Sequence, residues 1–461
     1  MFFPAEGVQN ESVVSCDLCI IGSGAAGLTL GRELLGSDRR VAILESGGLE
    51  AAPSPDALYD LECTNLSVAP HSRVRAFGGT TTVWAGRWKP HDEIDFLPRE
   101  WVPLSGWPFQ RETLLPYYER AAAVLRISSP GPIPGRGWPS PILEPTVFAF
   151  QQGRRRNWGA ASRKAFASAP GIRVYLGAHV VRLERSGEAV QHAEVRTLPG
   201  TSFRVEARTF VLAAGAIENA RLLLLSDLGN EHDQVGRYYT DHPKATAGVI
   251  EAYRPVDFST SWAFVSRDGS SQVGLRLSDA AQKDHGILNS QIFLQPLREE
   301  SLFRRLTRSK STYLVELRNF MEQAPCPSNR VTLGLDQDVF GCAKARVDWS
   351  LTELDRKTMV VFHQLLNREC QRLKIGELRS PLLRGGTADF PITKDASHHT
   401  GTTRMGTDPA SSVVDPDCRV HSVPNLYVAG TSVFPTGGYA NPVATIAALA
   451  VRLADHLRST P

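Results

Sequence analysis

No stretch of the 461-residue chain runs uninterrupted through the ~18 apolar residues that a membrane-spanning helix needs, so no membrane segment is expected. The opening residues MFFPAEGVQNE lack a basic start and an apolar core, and no secretory leader is expected there. Cysteine is scarce: Cys16, Cys19, Cys63, Cys326, Cys342, Cys370 and Cys418 are an odd, thinly spread set. That pattern predicts no disulfide framework and fits a reducing, cytoplasmic setting. An excess of one charge is also missing, since 51 Lys and Arg face 48 Asp and Glu, a net charge of +3. So even a balance excludes work that depends on broad attraction to nucleic acid, and a small polar partner is expected instead. There is no internal repeat and no low-complexity tract. With 42% hydrophobic and 21% charged residues, wholesale disorder is excluded too.

An α/β protein is what remains. Asp17 to Ile21 reads as an apolar strand, followed by a glycine loop, an Ala/Leu-rich helix to about Leu35 and a second strand from Val41 to Leu44. These make a βαβ unit that opens a parallel sheet. Cys16-Asp-Leu-Cys19 has the spacing of a redox pair, but it lies in strand rather than at a helix start, where thiol pKa values fall, so packing cysteines are expected. Residues 96–149 are rich in proline and tryptophan and read as a surface excursion or cap with one helix, Leu114 to Leu125. Strands return from 172, with a turn at Pro199-Gly200, a strand from Phe210 to Ala214 and a helix from Glu218 to Leu225. Beyond Asp241-His242-Pro243, alternating β-branched and aromatic residues over 245–300 and an amphipathic helix from Leu354 to Leu373 predict an antiparallel sheet backed by helices. A strand at Leu426 to Ala429 and a helix over 442–458 close the chain. The expected division is therefore 1–95, 150–240 and 396–461 in a discontinuous nucleotide domain and 241–395 in a substrate domain. The basic runs Arg154-Arg155-Arg156 and Arg304 to Lys310 are read as solvated faces, with an anionic substrate or carrier as the alternative.

The glycine loop carries the first chemistry. In Gly22-Ser23-Gly24-Ala-Ala-Gly27, Gly22 permits a tight turn, Gly24 lets backbone approach a pyrophosphate, and Gly27 lets helix and sheet pack closely. The helix N-terminus then faces the phosphates. Glu45, ending the second strand, is placed to accept ribose hydroxyls and disfavours a 2′-phosphate. Two distant segments, Phe210 to Asn219 with Ala214 and Gly215, and Asn425 to Gly430, resemble the flavoprotein habit of closing an FAD site with remote pieces, which separates FAD from NAD.

Four blocks resemble the glucose-methanol-choline (GMC) family of FAD-dependent oxidoreductases across nearly the whole chain. They are the glycine loop, Phe77 to Gly86, Gly236 to Pro243, and the run from His398-His399-Thr400-Gly401-Thr402-Thr403-Arg404-Met405-Gly406 through Gly430 to Ala440-Asn441-Pro442. The last block is closest to the pyranose oxidase-like branch, whose members oxidise ring hydroxyls of sugars and glycosides. The resemblance implies a Rossmann-type FAD domain with a parallel sheet plus an antiparallel substrate domain, the two-domain GMC or p-hydroxybenzoate hydroxylase-like architecture. It also implies that Gly78, Gly79, Thr80, Val180, Thr431 and Pro442 join Gly22, Ser23, Gly24, Gly27, Glu45, Ala214, Gly215, Gly430 and Asn441 around the cofactor. Val83 stands where some members attach flavin through histidine, so noncovalent FAD is expected; Gly430 replaces an aspartate common elsewhere.

Alcohol oxidation needs a base for the hydroxyl proton and a polar partner for the oxygen. His398 matches the family's active-site histidine, with His399 as the rival, and Asn441 matches the partner position. Asn441-Pro442 also reads as a helix start. The tryptophans Trp84, Trp88 and Trp107 are read as packing residues. The function expected is oxidation of a secondary hydroxyl of a sugar, glycoside or aminocyclitol-like product, with oxygen or another electron acceptor. A primary or non-sugar alcohol, a lyase and a flavin-binding scaffold are the alternatives. No metal is expected.

Overall fold

The structure, a computed structural model, describes residues 1–52, 57–69, 71–128, 140–253, 269–296, 313–384 and 396–459. The strand Val13–Ile21 lies near the middle of an eight-stranded sheet, with Leu18 to Ile21 buried as a continuous run. Such runs suit parallel strands covered on both faces. Val41–Glu45 and Ser202–Leu212 pair parallel on its two sides, and Ile172–Leu176 and Phe2–Pro4 extend the sheet beyond Val41–Glu45. On its far edge Ser202–Leu212 is shared: Ser202 to Glu206 pair antiparallel with Ala189–Arg196, while Phe210 to Leu212 pair parallel with Leu426–Val428. That second pairing brings a segment more than 200 residues away beside the glycine loop. Helix Ala25–Glu33 packs on this sheet, and the C-terminal helix Val443–Ser459 packs on that helix and on helix Leu115–Leu125, burying Ala444, Ala447 and Ala448.

A second sheet has seven strands in the order Gly376–Arg379, Lys244–Ala252, Tyr313–Met321, Ser290–Pro296, Ser271–Leu277, Leu143–Phe150 and Arg87–Trp88, all paired antiparallel. Helix Glu353–Arg372, started by a capping box between Thr352 and Asp355, lays Phe362, Leu365, Leu366 and Cys370 against Ile250, Leu275 and Leu317. A parallel nucleotide-type sheet and an antiparallel sheet backed by a helix are therefore both present.

The sheets do not follow the expected domain bounds. Leu143–Phe150 is a strand of the second sheet, not surface excursion, and helix Leu115–Leu125 buries Tyr118, Ala121 and Leu125, whose three- and four-residue spacing makes one apolar stripe. Arg87–Trp88 likewise joins the second sheet from within the first segment. Arg330–Gln337 and Ala343–Asp348 leave it, forming a third sheet with Leu61–Thr64 that packs on helix Ala216–Ser226. Cys16 and Cys19 are buried in their strand, and burial pushes the Cys16 thiol up to about 11 and the Cys19 thiol well above its ordinary value, the opposite of a redox pair. No disulfide joins any of the seven cysteines. Among the described residues no helix is long and apolar enough to cross a membrane. The run Arg304 to Lys310 lies outside the described residues, whereas Arg154 to Arg156 form an exposed 3-10 turn.

Candidate active site

Between the two sheets lies a cavity of about 460 Å³. One end is built from the glycine loop. Gly22 has φ +98° and a Cβ there would sit 2.6 Å from the Ala213 carbonyl oxygen; at Gly27 it would sit 2.0 Å from the Gly22 oxygen. Gly24 differs, with φ −65° and no atom nearer than 4.0 Å, so it faces open space. Gly79 closes on it, since a Cβ at Gly79 would lie 2.7 Å from the Gly24 Cα. Glu45 is buried: its Oε2 accepts from the Ser23 amide at 3.0 Å and the Ser23 hydroxyl at 2.6 Å, and its Oε1 accepts from the Gly47 amide at 2.8 Å. One lone pair of Oε1 remains for a ligand hydroxyl.

Along the cavity stand Thr80, Val83, Val180, Ala214 and Gly215, then Gly430, Thr431, Asn441 and Pro442. Asn219 ties the remote segments together, accepting from the Ala214 amide at 2.8 Å and donating to Ser432 Oγ at 3.0 Å. Gly27 and Gly78 do not line the cavity; they let helix and loop approach, Gly78 with φ +108° beside the Gly159 amide.

At the other end the last loop and the Asp-His-Pro segment are zipped. Thr240 and Thr400 form a bridge, with Thr400 N donating to Thr240 O at 2.9 Å and their hydroxyls 2.5 Å apart. The Asp241 carboxylate accepts from three backbone amides: His242 at 2.7 Å, His398 at 3.0 Å and Ala396 at 2.7 Å. Held this way, the His398 ring has a neighbour at each nitrogen. Its Nε2 lies 3.0 Å from Asn441 Nδ2, and its Nδ1 lies 2.9 Å from His242 Nδ1. His242 Nε2 in turn faces the Gly437 carbonyl at 3.4 Å, which also receives His91 Nε2 at 2.5 Å.

The protons follow from that geometry. A carbonyl can only accept, so His242 carries its proton on Nε2 and its Nδ1 accepts. His398 must then donate from Nδ1, leaving a lone pair on Nε2 toward Asn441, whose amide nitrogen donates to it. Burial, then the neighbouring His242 and His399, hold His398 well below the ordinary histidine value. His242 is lowered to about 4, again chiefly by burial. The pair is neutral at pH 7.

Family models of the GMC oxidoreductases match residues 147–244 and 325–450 with their N- and C-terminal parts. The chain belongs to the GMC oxidoreductase family. It is 29% identical to a 6'''-hydroxyparomomycin C oxidase of Streptomyces lividus over an alignment covering 96% of this chain and 92% of that protein. It is 32% identical to a pyranose 2-oxidase of Tricholoma matsutake over 31% of this chain and 26% of that one. Among solved structures, pyridoxine 4-oxidase from Mesorbium loti shares the fold with a TM-score of 0.60 at 19% identity, covering 97% of this chain and 100% of the other.

GMC enzymes bind FAD, and the cavity fits it. The open face at Gly24, the N-terminus of helix Ala25–Glu33 and the spare Glu45 lone pair would hold the pyrophosphate and ribose, and the flavin end would meet His398 and Asn441. The protein is thus an FAD-dependent oxidoreductase acting on alcohols. His399 is buried against Tyr239, ring centroids 5.6 Å apart, and the contact to Asn441 belongs to His398. Trp84 donates to the Arg156 carbonyl and meets Trp158 edge-on, and Trp88 and Trp107 are buried. Sequence reasoning missed His242 and Asp241 as parts of the site. The signal available was the Asp241-His242-Pro243 triplet itself, two polar groups where the strand pattern changes.

Proposed function

We propose that the protein oxidises a secondary hydroxyl of a sugar, glycoside or aminocyclitol-like compound to the ketone, with His398 as base and Asn441 as the second anchor of the oxygen. The observation that carries this reading is the 3.0 Å contact between His398 Nε2 and Asn441 Nδ2 at the wall of the cofactor cavity. The named activities of the curated relatives support the substrate class.

When bound, FAD supplies the hydride acceptor. The chain's part is to place and deprotonate the alcohol. A hydroxyl oxygen seated between the two side chains would accept from Asn441 Nδ2 and give its proton to the Nε2 lone pair of His398. His242 keeps that lone pair available by accepting the Nδ1 proton. Val83 offers no nucleophile, so the flavin is held without a covalent bond. Seven cysteines outside any disulfide suit a reducing, cytoplasmic setting. The electron acceptor is oxygen or another acceptor.

The test is anaerobic bleaching of the flavin by a panel of sugars, glycosides and cyclitols. His398→Ala should keep its yellow cofactor and reduce it about 10²–10⁴-fold more slowly, the usual contribution of a positioned base. His399→Ala should be milder. Reduction at the wild-type rate in His398→Ala overturns the assignment.

A further inference from the structure

Arg87 stands in the wall of the cavity that holds His398 and Asn441. It belongs to the short strand Arg87–Trp88, opposite Phe150. Its guanidinium lies 4.8 Å from the ring centre of Phe293, 5.5 Å from Phe150 and 5.8 Å from Phe320. Those rings hold the cation by their faces but give its N–H groups nothing to donate to. Among the described residues Arg87 makes no ion pair, and its buried Nε has no hydrogen-bond acceptor. The charge beside it is Arg318, of the same sign. Burial lowers Arg87 to about 10, which still leaves it charged at pH 7.

A second cation is adjacent. Lys244 is the cross-strand partner of Phe320, its Nζ lies 5.5 Å from that ring centre, and it lines the same cavity. Arg87 and Lys244 both belong to the seven-stranded sheet, whereas the glycine loop that suits the pyrophosphate belongs to the other. A largely buried cation kept without an anion is costly, and the cost falls when a ligand brings the anion.

We propose that the alcohol oxidised here carries an anionic group of the carboxylate kind, paired with Arg87 and flanked by Lys244. This rests on the alcohol-oxidation reading above and narrows it. A planar carboxylate matches the guanidinium fork. Two cations on one wall also repel an amine, so within the proposed range sugar acids and their glycosides are favoured over aminocyclitols. The carboxylate is unchanged in the reaction: the carbinol carbon loses a hydride to FAD and its hydroxyl loses a proton to His398.

The experiment uses the holoenzyme and anaerobic flavin reduction by glucuronate and gluconate, by glucose and methyl glucoside, and by glucosamine. The acids should saturate at concentrations about 10–100-fold below their neutral counterparts, the worth of one charged hydrogen-bonded contact. Glucosamine should be the poorest. In Arg87→Met the acid-over-neutral ratio should collapse by the same factor, and Arg87→Lys should recover part of it, while the flavin midpoint potential stays in place. Preference for neutral or amine-bearing compounds in the wild type overturns the inference and leaves alcohol oxidation standing. An acid preference intact in Arg87→Met, or a fall in flavin potential with equally slowed reduction by every substrate, overturns it too, because Arg87 would then serve the cofactor. If no alcohol of any charge bleaches the flavin, the functional reading itself fails.

Discussion

His242 can be removed without touching His398, the proposed base that it orients. In His242→Phe a ring of similar size fills the buried place beside His398, where the two imidazole centroids now lie 4.9 Å apart at 76°. What disappears is the acceptor at 2.9 Å from His398 Nδ1. The Nδ1–H then points at carbon, and an unsatisfied buried donor costs about 1–3 kcal/mol. His398 escapes that cost by moving its proton to Nε2, the nitrogen that must be empty to take the hydroxyl proton. A shift of that size lowers the competent tautomer, and with it the limiting rate of flavin reduction, by about 5- to 150-fold.

The assay is stopped-flow bleaching under anaerobic conditions with saturating alcohol, alongside FAD content and the alcohol concentration at half-saturation. FAD content should be unchanged and half-saturation little moved, because neither FAD nor the alcohol is placed by His242. His242→Gln, whose amide oxygen can accept from Nδ1–H, should restore most of the rate. A His242→Phe enzyme that bleaches as fast as wild type refutes the argument that this neighbour sets the tautomer. So does a glutamine variant no faster than the phenylalanine one.

Two further outcomes are expected. Gly24→Val has room on the protein side, with nothing nearer than 4.0 Å, so it should fold but lose FAD, whereas Gly27→Ala, which puts a Cβ 2.0 Å from a carbonyl oxygen, should be poorly folded; a yellow, stable Gly24→Val protein would mean that the cofactor does not approach there. His363, buried between Ser380 Oγ at 2.8 Å and Asn319 Oδ1 at 3.0 Å, is lowered by burial to about 4. The folded state therefore binds fewer protons than the unfolded one between about pH 4 and 6.5, and the stability this group contributes above 6.5 is lost as pH falls toward 4. Denaturant unfolding of wild type and His363→Gln from pH 7 to 4 should show the difference moving by up to about 3 kcal/mol in favour of the variant, and a pH-independent difference would refute it.

Much of the nucleotide half was legible because its signals are local. A buried apolar strand, three glycines with distinct steric demands and a terminal acid all fall between Asp17 and Glu45. The second sheet was harder to read. Pro145 sits within the strand Leu143–Phe150 and ordinarily marks an edge or a loop. It is tolerated because, among the described residues, the next strand, Arg87–Trp88, pairs only with Ala149 and Phe150 and no strand pairs on that side of Pro145. Arg87 was hidden for the same reason, since a two-residue strand leaves no periodicity to find. His242 was hidden differently: its role exists only across a contact 156 residues away in sequence.

As the proposed base, His398 depends on three separate provisions. Position comes from backbone: Asp241 fixes the amides of His398, Ala396 and His242, and the Thr240–Thr400 bridge sets their register. The tautomer comes from a neutral histidine, and the protonation state comes mainly from burial. Had the Asp241 carboxylate been aimed at the imidazole instead, it would have oriented the ring equally well but raised its pKa, favouring an imidazolium that cannot take a proton. Using the acid on backbone amides and a second imidazole on the ring keeps His398 oriented and neutral together. A base so arranged is ready at pH 7 before any alcohol arrives, so the rate of flavin reduction should already lie on its plateau at about pH 6.5, the ordinary histidine value, with the acid limb below it. Stopped-flow reduction measured from pH 5 to 8 checks this, and a rate still climbing through pH 7 would show that His398 is charged there.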